Sequence, residues 1–527
     1  MRLVIIGVDC DHAEAYTRGC TLFLKKLFAS GSHLDTNDYL VDHGWSKIIC
    51  VLPGTRTRVI YDRKVVIKWS FQLISLLFDI GYQRVKSETY GHIQYDTNSM
   101  HLWTFKKDNV WLTILLILPV FSDSSYGLAD YFGIALPIGT GVIFRGLILI
   151  FVILYVLSFI SMFSLGLVLF YFSVILAVIP GVAIGIATGS NLVTEITMMS
   201  KAIYLPTMIL LFYILSIQTI VTPERIFRYL EISSYLFSAV IILPSVFNIE
   251  IKTYGDYAFG IKGFFQPGND IGLAFGIATL ASGYRILSSK FSLFLISLMC
   301  LNLYALASLG TRASLFILAF IGLTFIISVL FFRDNPTQQN KIASLNQLSS
   351  IVILATLLTS AFIYGYTSQS NYIYQSERIN EITNGSHPRQ DLIESGYSYI
   401  ERRAPWLNLT GEGAERFRIG VATNMYSREY RGTEVDWLDS YGNYGLFYTL
   451  ILFGFLIYTL YLSLRSTLYL STRLALFSAS GIFLYLSHSV IAGHAIFSAT
   501  ASTIVAAYIG IILYFNKYQK TARKQGY

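Results

Sequence analysis

The sequence predicts an all-α polytopic membrane protein with about twelve spanning helices and one large extracytoplasmic loop between the ninth and tenth spans. Three observations predict it. Only 13% of the 527 residues are charged, where a soluble globular chain carries about 25%. The mean hydropathy is +0.55. From residue 109 onward, long apolar runs follow one another closely, each close to the length a helix needs to cross a hydrocarbon core of about 30 Å.

The expected spans are 109–122, 144–163, 165–188, 203–221, 229–248, 270–287, 291–309, 313–332, 348–366, 444–464, 472–490 and 495–516. All should be helices, because an unpaired backbone group in lipid costs several kcal/mol. The first is short and holds Pro119. The second and third almost touch and require a tight hairpin.

Residues 1–107 differ in kind. They are polar, lack a long apolar run and are expected to form a small cytoplasmic module apart from the membrane domain 108–527. Leu3–Val8 and Lys47–Leu52 read as short buried strands. Val65–Tyr82 carries Lys68 and Asp79 and reads as an amphipathic or buried helix. The start, Met1-Arg2 with a short apolar run and then Asp9, Asp11 and His12, does not read as a secretory signal.

The net charge of +8 is read as loop charge facing the cytoplasm rather than as a nucleic-acid surface. With residues 1–107 inside, the inner connections and C-terminal tail hold Arg225, Arg228, Arg285, Lys290, Arg333, Lys341, Arg465, Arg473, Lys517, Lys520, Arg523 and Lys524. The outer connections hold only Lys201, Lys252, Lys262 and Arg312, with Arg145 at a span edge. This asymmetry and the even span count put the loop 368–443 outside and the C-terminus inside. The four cysteines, Cys10, Cys20, Cys50 and Cys300, all lie outside that loop, so no disulfide is expected there. No ligand cluster suggests a metal.

The loop holds eight arginines and no lysine: Arg378, Arg389, Arg402, Arg403, Arg416, Arg418, Arg428 and Arg431. Arginine offers a planar fork that grips phosphate or carboxylate through two parallel hydrogen bonds. Eleven acids in the loop could equally absorb these charges on a solvated surface. Four further outer positions stand out. Arg312, in Gly310-Thr311-Arg312-Ala313-Ser314, either anchors a helix or binds an anion. Asn269-Asp270 stands at the start of the sixth span, where it could simply cap the helix. Glu434, Asp436 and Asp439 precede the tenth span, and the last two share a helical face. His494, in Ala492-Gly493-His494, is either a helix-end partner or a functional group. Arginine, carboxylates and histidine at one membrane surface suit sugar transfer from a diphosphate-linked lipid. Arginine would neutralise the leaving diphosphate and a carboxylate would take the proton of the attacking hydroxyl.

From about 109 to 516 the chain resembles the O-antigen ligase and polymerase superfamily of bacterial envelope enzymes. The likeness lies in the span layout and in four patterns: Pro267-Gly268-Asn269-Asp270-Ile271-Gly272; Gly310-Thr311-Arg312-Ala313; Pro388-Arg389-Gln390-Asp391-Leu392 followed by Ala404-Pro405-Trp406 and Leu409-Thr410-Gly411-Glu412-Gly413; and Glu434-Val435-Asp436-Trp437-Leu438 running to Tyr441-Gly442-Asn443-Tyr444-Gly445-Leu446. Family ligases that attach O-antigen to lipid A-core carry a histidine, their proposed base, where Glu434 stands. The resemblance therefore implies a polymerase that joins polyprenyl-diphosphate-linked repeat units of a capsule, exopolysaccharide or O-antigen. Its place would be the outer face of the bacterial cytoplasmic (inner) membrane.

The expected roles are Glu434, Asp436 and Asp439 as the catalytic group, with Arg312, Arg389, Asn269 and His494 binding substrate. Expected partners are the lipid-linked oligosaccharides, membrane lipids and other polysaccharide-assembly proteins, with no nucleic acid, cofactor or metal. The alternatives are a ligase that moves the glycan to another acceptor, or a flippase for the same lipids. A transporter would place charges at the bilayer midplane and often shows internal repeats. Here the charges sit at span ends and no repeat is evident.

Overall fold

A computed structural model describes residues 48–51, 58–61 and, from 107 on, everything except 135–139, 219, 248, 250, 255–258, 266–267, 289–291, 333–387, 425–431, 471 and 525–527. The chain separates into two units, Met1–Ser99 and Met100–Tyr527.

In the first unit, β1 (Ile48–Val51) pairs antiparallel with β2 (Arg58–Tyr61), Ile48 opposite Tyr61 and Val51 opposite Arg58. This matches the strand expected at Lys47–Leu52. The expected strand Leu3–Val8 and helix Val65–Tyr82 lie outside the described residues.

The described residues of the second unit are mostly helical, with one antiparallel strand pair, Ile251–Tyr254 and Phe259–Gly263. Its apolar helices are α1 (Val110–Tyr131), α2 (Thr140–Ser158), α3 (Leu165–Ala187), α4 (Leu192–Ile217), α5 (Pro223–Val246), α6 (Gly268–Ser288), α7 (Leu293–Ser308), α8 (Arg312–Phe331), α12 (Asp436–Leu470), α13 (Arg473–Ile491) and α14 (Ala499–Lys524). Between α8 and α12 come α9 (Pro388–Arg402), α10 (Leu407–Thr410) and α11 (Ala414–Asn424). Ten of these helices are long and apolar enough to cross a membrane, and α7 is a shorter apolar helix. The chain is thus a multi-pass membrane protein. The expected ninth span, 348–366, lies outside the described residues.

Several helices outrun their apolar windows. The first reaches Tyr131 rather than 122. The turn Thr113–Ile117 ahead of Pro119 is wound as a π-helix, a local adjustment where the proline ring would meet a carbonyl four residues back. The fourth begins at Leu192, not 203, because Asn191 Oδ1 accepts from the Val193 and Thr194 amides (2.9 and 3.3 Å) and starts the helix early. Lys201 therefore lies within α4 rather than in a loop.

Successive helices run up and down. At one end of the bundle Arg473 of α13 donates to the carbonyls of Leu287 in the last turn of α6 (2.6 Å) and of Phe332, the C-cap of α8 (3.2 Å), the favourable place for a cation. At the other end Asp123 of α1, Arg145 of α2 and Thr500 of α14 form one linked group. Helices α4, α6 and α14 form the buried centre, while α2 and α3 expose apolar faces such as Leu147, Ile150, Leu169 and Leu176. Contacts between helices use small residues, as expected in lipid. At Gly510 of α14 an added Cβ would lie 2.7 Å from Phe212 Cβ of α4. Buried Asn302 of α7 donates to Ser234 of α5 and Ser282 of α6 (2.9 and 3.3 Å) and accepts from Ser238 (2.5 Å).

Helices α9, α10 and α11 and residues 432–435 fold at the Asp123–Arg145–Thr500 end. Leu392, Ile400, Phe417, Val421 and Val435 form a small core there with Leu438 from the first turn of α12.

Candidate functional site

Two structures hold this segment onto the bundle. The first is a joint around Arg403. Its side chain is 2% exposed and that of Glu412 is 1% exposed. Arg403 donates to Glu412 Oε1 (3.1 Å), Asn408 Oδ1 (2.8 Å) and the Gly442 carbonyl (2.9 Å). Glu412 Oε2 accepts from Tyr399 Oη (2.9 Å) and lies 3.3 Å from Arg416 Nε. Burial, and the adjacent Glu412 charge, push the Tyr399 phenol up to about 12.

Beside this pair Gly411 (φ 74, ψ −176) fits against a kink in α12 at Gly445 (φ 79, ψ −176). Both lie in a backbone region essentially reserved for glycine. A Cβ on Gly445 would sit 2.3 Å from the Leu409 carbonyl oxygen. The Gly-Glu-Gly and Tyr-Gly-Asn-Tyr-Gly patterns thus build a packed joint between loop and helix.

The second structure presents the charged groups. Asp436, wholly buried, accepts at Oδ2 from Ser489 Oγ (2.8 Å) and from the Ala495 and Ile496 amides (2.8 and 2.9 Å). Those bonds fix the connection between α13 and α14, which turns through Gly493 (φ 66) and His494 (φ 64). Gly493 packs so closely on the Glu434 carbonyl that a Cβ would lie 2.1 Å from its oxygen. Glu434 is itself left-handed (φ 58). Left-handed non-glycine residues are costly and cluster at functional sites. Asp439 accepts from Thr433 N (2.7 Å) and Oγ1 (2.8 Å), fixing the turn that carries Glu434. Asp436 and Asp439 therefore hold the two loops that display Glu434 and His494. His494 interacts electrostatically with Asp270, Asp436 and Asp439.

The other predicted residues fall as follows. His494 lies in the connection before α14 rather than at the start of that helix. Arg312 is exposed, opening α8 after a Thr311 cap on Ser314 N (3.0 Å). Leu309, just before it, packs on Gly272 in the first turns of α6, so Arg312 lies at the same end as Asp270. Asn269 and Arg389 stand in the first turns of α6 and α9; their side chains lie outside the described residues.

Sequence reasoning gave Glu195 no role, counted Lys201 as an outer loop charge and did not single out Arg403 or Arg418 among the eight arginines. Glu195, fully buried on α4, accepts from the Ala414 and Glu415 amides (3.0 and 2.9 Å) and caps α11. One turn on, Met198 Sδ meets Arg418 Nη2 (3.5 Å), and a further turn on stands Lys201. An acid and a lysine three residues either side of Met198, at the edge of an apolar run, were the available signal.

Among the described residues no group of three or more His, Cys, Asp or Glu is arranged to hold a metal ion. No family model and no curated protein matches this chain.

Proposed function

We propose that this protein is a polysaccharide polymerase of the outer face of a bacterial cytoplasmic membrane, with the segment 368–443 extracytoplasmic. It moves a growing glycan from its polyprenyl diphosphate carrier to a sugar hydroxyl of the next lipid-linked unit. The observation that carries this reading is one end of a helix bundle where carboxylates, His494 and several cations gather beside the apolar surface.

In the reaction the acceptor oxygen forms a bond to the anomeric carbon as the carbon–oxygen bond to the diphosphate breaks. The leaving diphosphate keeps that electron pair, and the hydroxyl proton passes to a base. Glu434 is assigned as that base, held on a turn fixed by Asp439 and packed against the loop of His494. Arg312 and Arg389 are assigned to the diphosphate, whose charge grows as it departs.

Surface glycan from a strain lacking the protein tests the proposal. Single repeat units on the surface are the expected result. Loss of surface glycan with full-length chains left on the lipid carrier would overturn it and indicate a ligase.

A further inference from the structure

Lys201 of α4 and Arg418 of α11 interact electrostatically with each other, and Lys201 also with Arg145 and Asp270. Both are half-buried, and among the described residues neither comes within 4.0 Å of a carboxylate. Arg145 differs, being paired with Asp123. Their approach is imposed by the fold: the Glu195 cap fixes the start of α11, and the three-residue steps Glu195, Met198, Lys201 run beneath it. Lys201 lies roughly 13 Å along α4 from its start at 1.5 Å per residue, at the depth of an outer helix end rather than in water.

A third group faces the same place. Tyr444 of α12 is fully buried, its Oη lacks a hydrogen-bond partner among the described residues, and it interacts electrostatically with Tyr448, Glu195 and Arg418. Its ring lies 5.0 Å from that of Tyr448, whose Oη donates to the carbonyl of Ala202, the residue after Lys201 (3.1 Å). Two like charges held near each other, with Asp270 and Asp439 acting on them only from beyond ion-pair distance, and beside an unused hydroxyl donor, have the chemistry to take an anion.

We propose that Lys201 and Arg418, with Tyr444 as a hydrogen-bond donor, form a binding site for a phosphate-bearing ligand at the mouth of the bundle. Lipid diphosphate as the occupant rests on the polymerase reading; the anion site itself does not.

The test uses the full chain purified in lipid nanodiscs, with polyprenyl diphosphate lacking sugar, inorganic pyrophosphate and inorganic phosphate as probes. Polyprenyl diphosphate is expected to bind, Lys201→Gln and Arg418→Gln each to weaken it at least tenfold, and Arg402→Gln, an exposed arginine of the same segment, to leave it unchanged. Tyr444→Phe keeps the packed ring and is expected to weaken binding by roughly threefold or more. If only the free anions bind and both charge variants lose them, the site stands and the polymerase reading falls. If both charge variants bind polyprenyl diphosphate as tightly as the parent, with unchanged unfolding temperatures, the site is overturned while the polymerase reading survives. Should the charge variants fail to fold, Tyr444→Phe decides: unchanged affinity overturns the site and weakened affinity supports it.

Discussion

Arg403 and Arg418 are fifteen positions apart in the same segment, yet their surroundings are opposites. Arg403 is surrounded by acceptors, its guanidinium donating to a carboxylate, an amide oxygen and a helix carbonyl. Among the described residues Arg418 has a methionine sulfur as its hydrogen-bond partner and no carboxylate within 4.0 Å, and it shares its field with Lys201 and, at longer range, Asp439. A guanidinium held by several acceptors of the protein itself is a structural pin, whereas one held near another cation is available to a ligand. The contrast extends to the backbone. Around Arg403 the strained residues are glycines, Gly411 and Gly445, which close a joint. Beside the charged cluster they are the half-buried Glu434 and His494, on the two turns that pack against each other.

The sharpest test of the displayed region is Glu434→Gln. It keeps the shape of the side chain but cannot take a proton, and general-base assistance is worth roughly 10²–10⁴-fold. Chain extension by the purified variant is expected to fall at least about a hundredfold, at normal membrane levels. Near-normal extension would dismiss Glu434 as the base and turn attention to Asp436.

The joint should respond in stability instead. Arg403→Met leaves the buried Glu412 charge without its main partner. Breaking a buried pair from one side costs about 3–5 kcal/mol. The segment 388–435 should become sensitive to limited proteolysis. A variant as protease-resistant as the parent would show that the joint does not depend on Arg403.

Gly445→Ala comes next. It forces a side chain into a conformation costing about 1–3 kcal/mol and onto the Leu409 carbonyl. A lowered unfolding temperature is expected, and an unchanged one would mean α12 straightens without loss.

Arg312→Lys and Arg389→Lys replace a fork with a point charge and should each lower the extension rate severalfold. Normal rates in both would remove them from diphosphate recognition and leave Lys201 and Arg418 to carry it.

The smallest effect is one of pH. Tyr399 ionises near 10.0 in the unfolded chain and near 12 in the joint. Between those values the unfolded chain loses its proton first, so stability falls as pH rises from about 10 to 12. Tyr399→Phe should flatten that part of the curve. An identical slope in the variant would place the titrating group elsewhere.

Sidedness is checked separately. A cysteine at the exposed position Glu401 should be labelled by an impermeant reagent on intact cells. Labelling only after permeabilisation would invert the orientation.

Most of the helices were legible as apolar runs, because a helix in lipid must satisfy its backbone within itself and cover its surface with apolar side chains. Their ends were less legible. Asn191 starts α4 well before the apolar window, and the hydrogen-bond ladder continues through polar turns that hydropathy excludes. The candidate site was legible in kind, and Glu434, Asp436, Asp439 and His494 do meet at one end of the bundle. Which arginine is structural was not legible, since eight in one segment look alike until their acceptors are placed.

The sequence by itself determined a multi-pass helical protein and the set of charged residues available near its helix ends, since both follow from composition and local periodicity. Only the tertiary structure decided the partners. Arg403 pairs with Glu412 through a turn of two glycines, while Arg418 is brought into the field of Lys201, 217 positions away in the chain, by the Glu195 cap. Whether a charge is paired depends on which groups the packed helices bring within a few ångströms, and no local pattern encodes that distance.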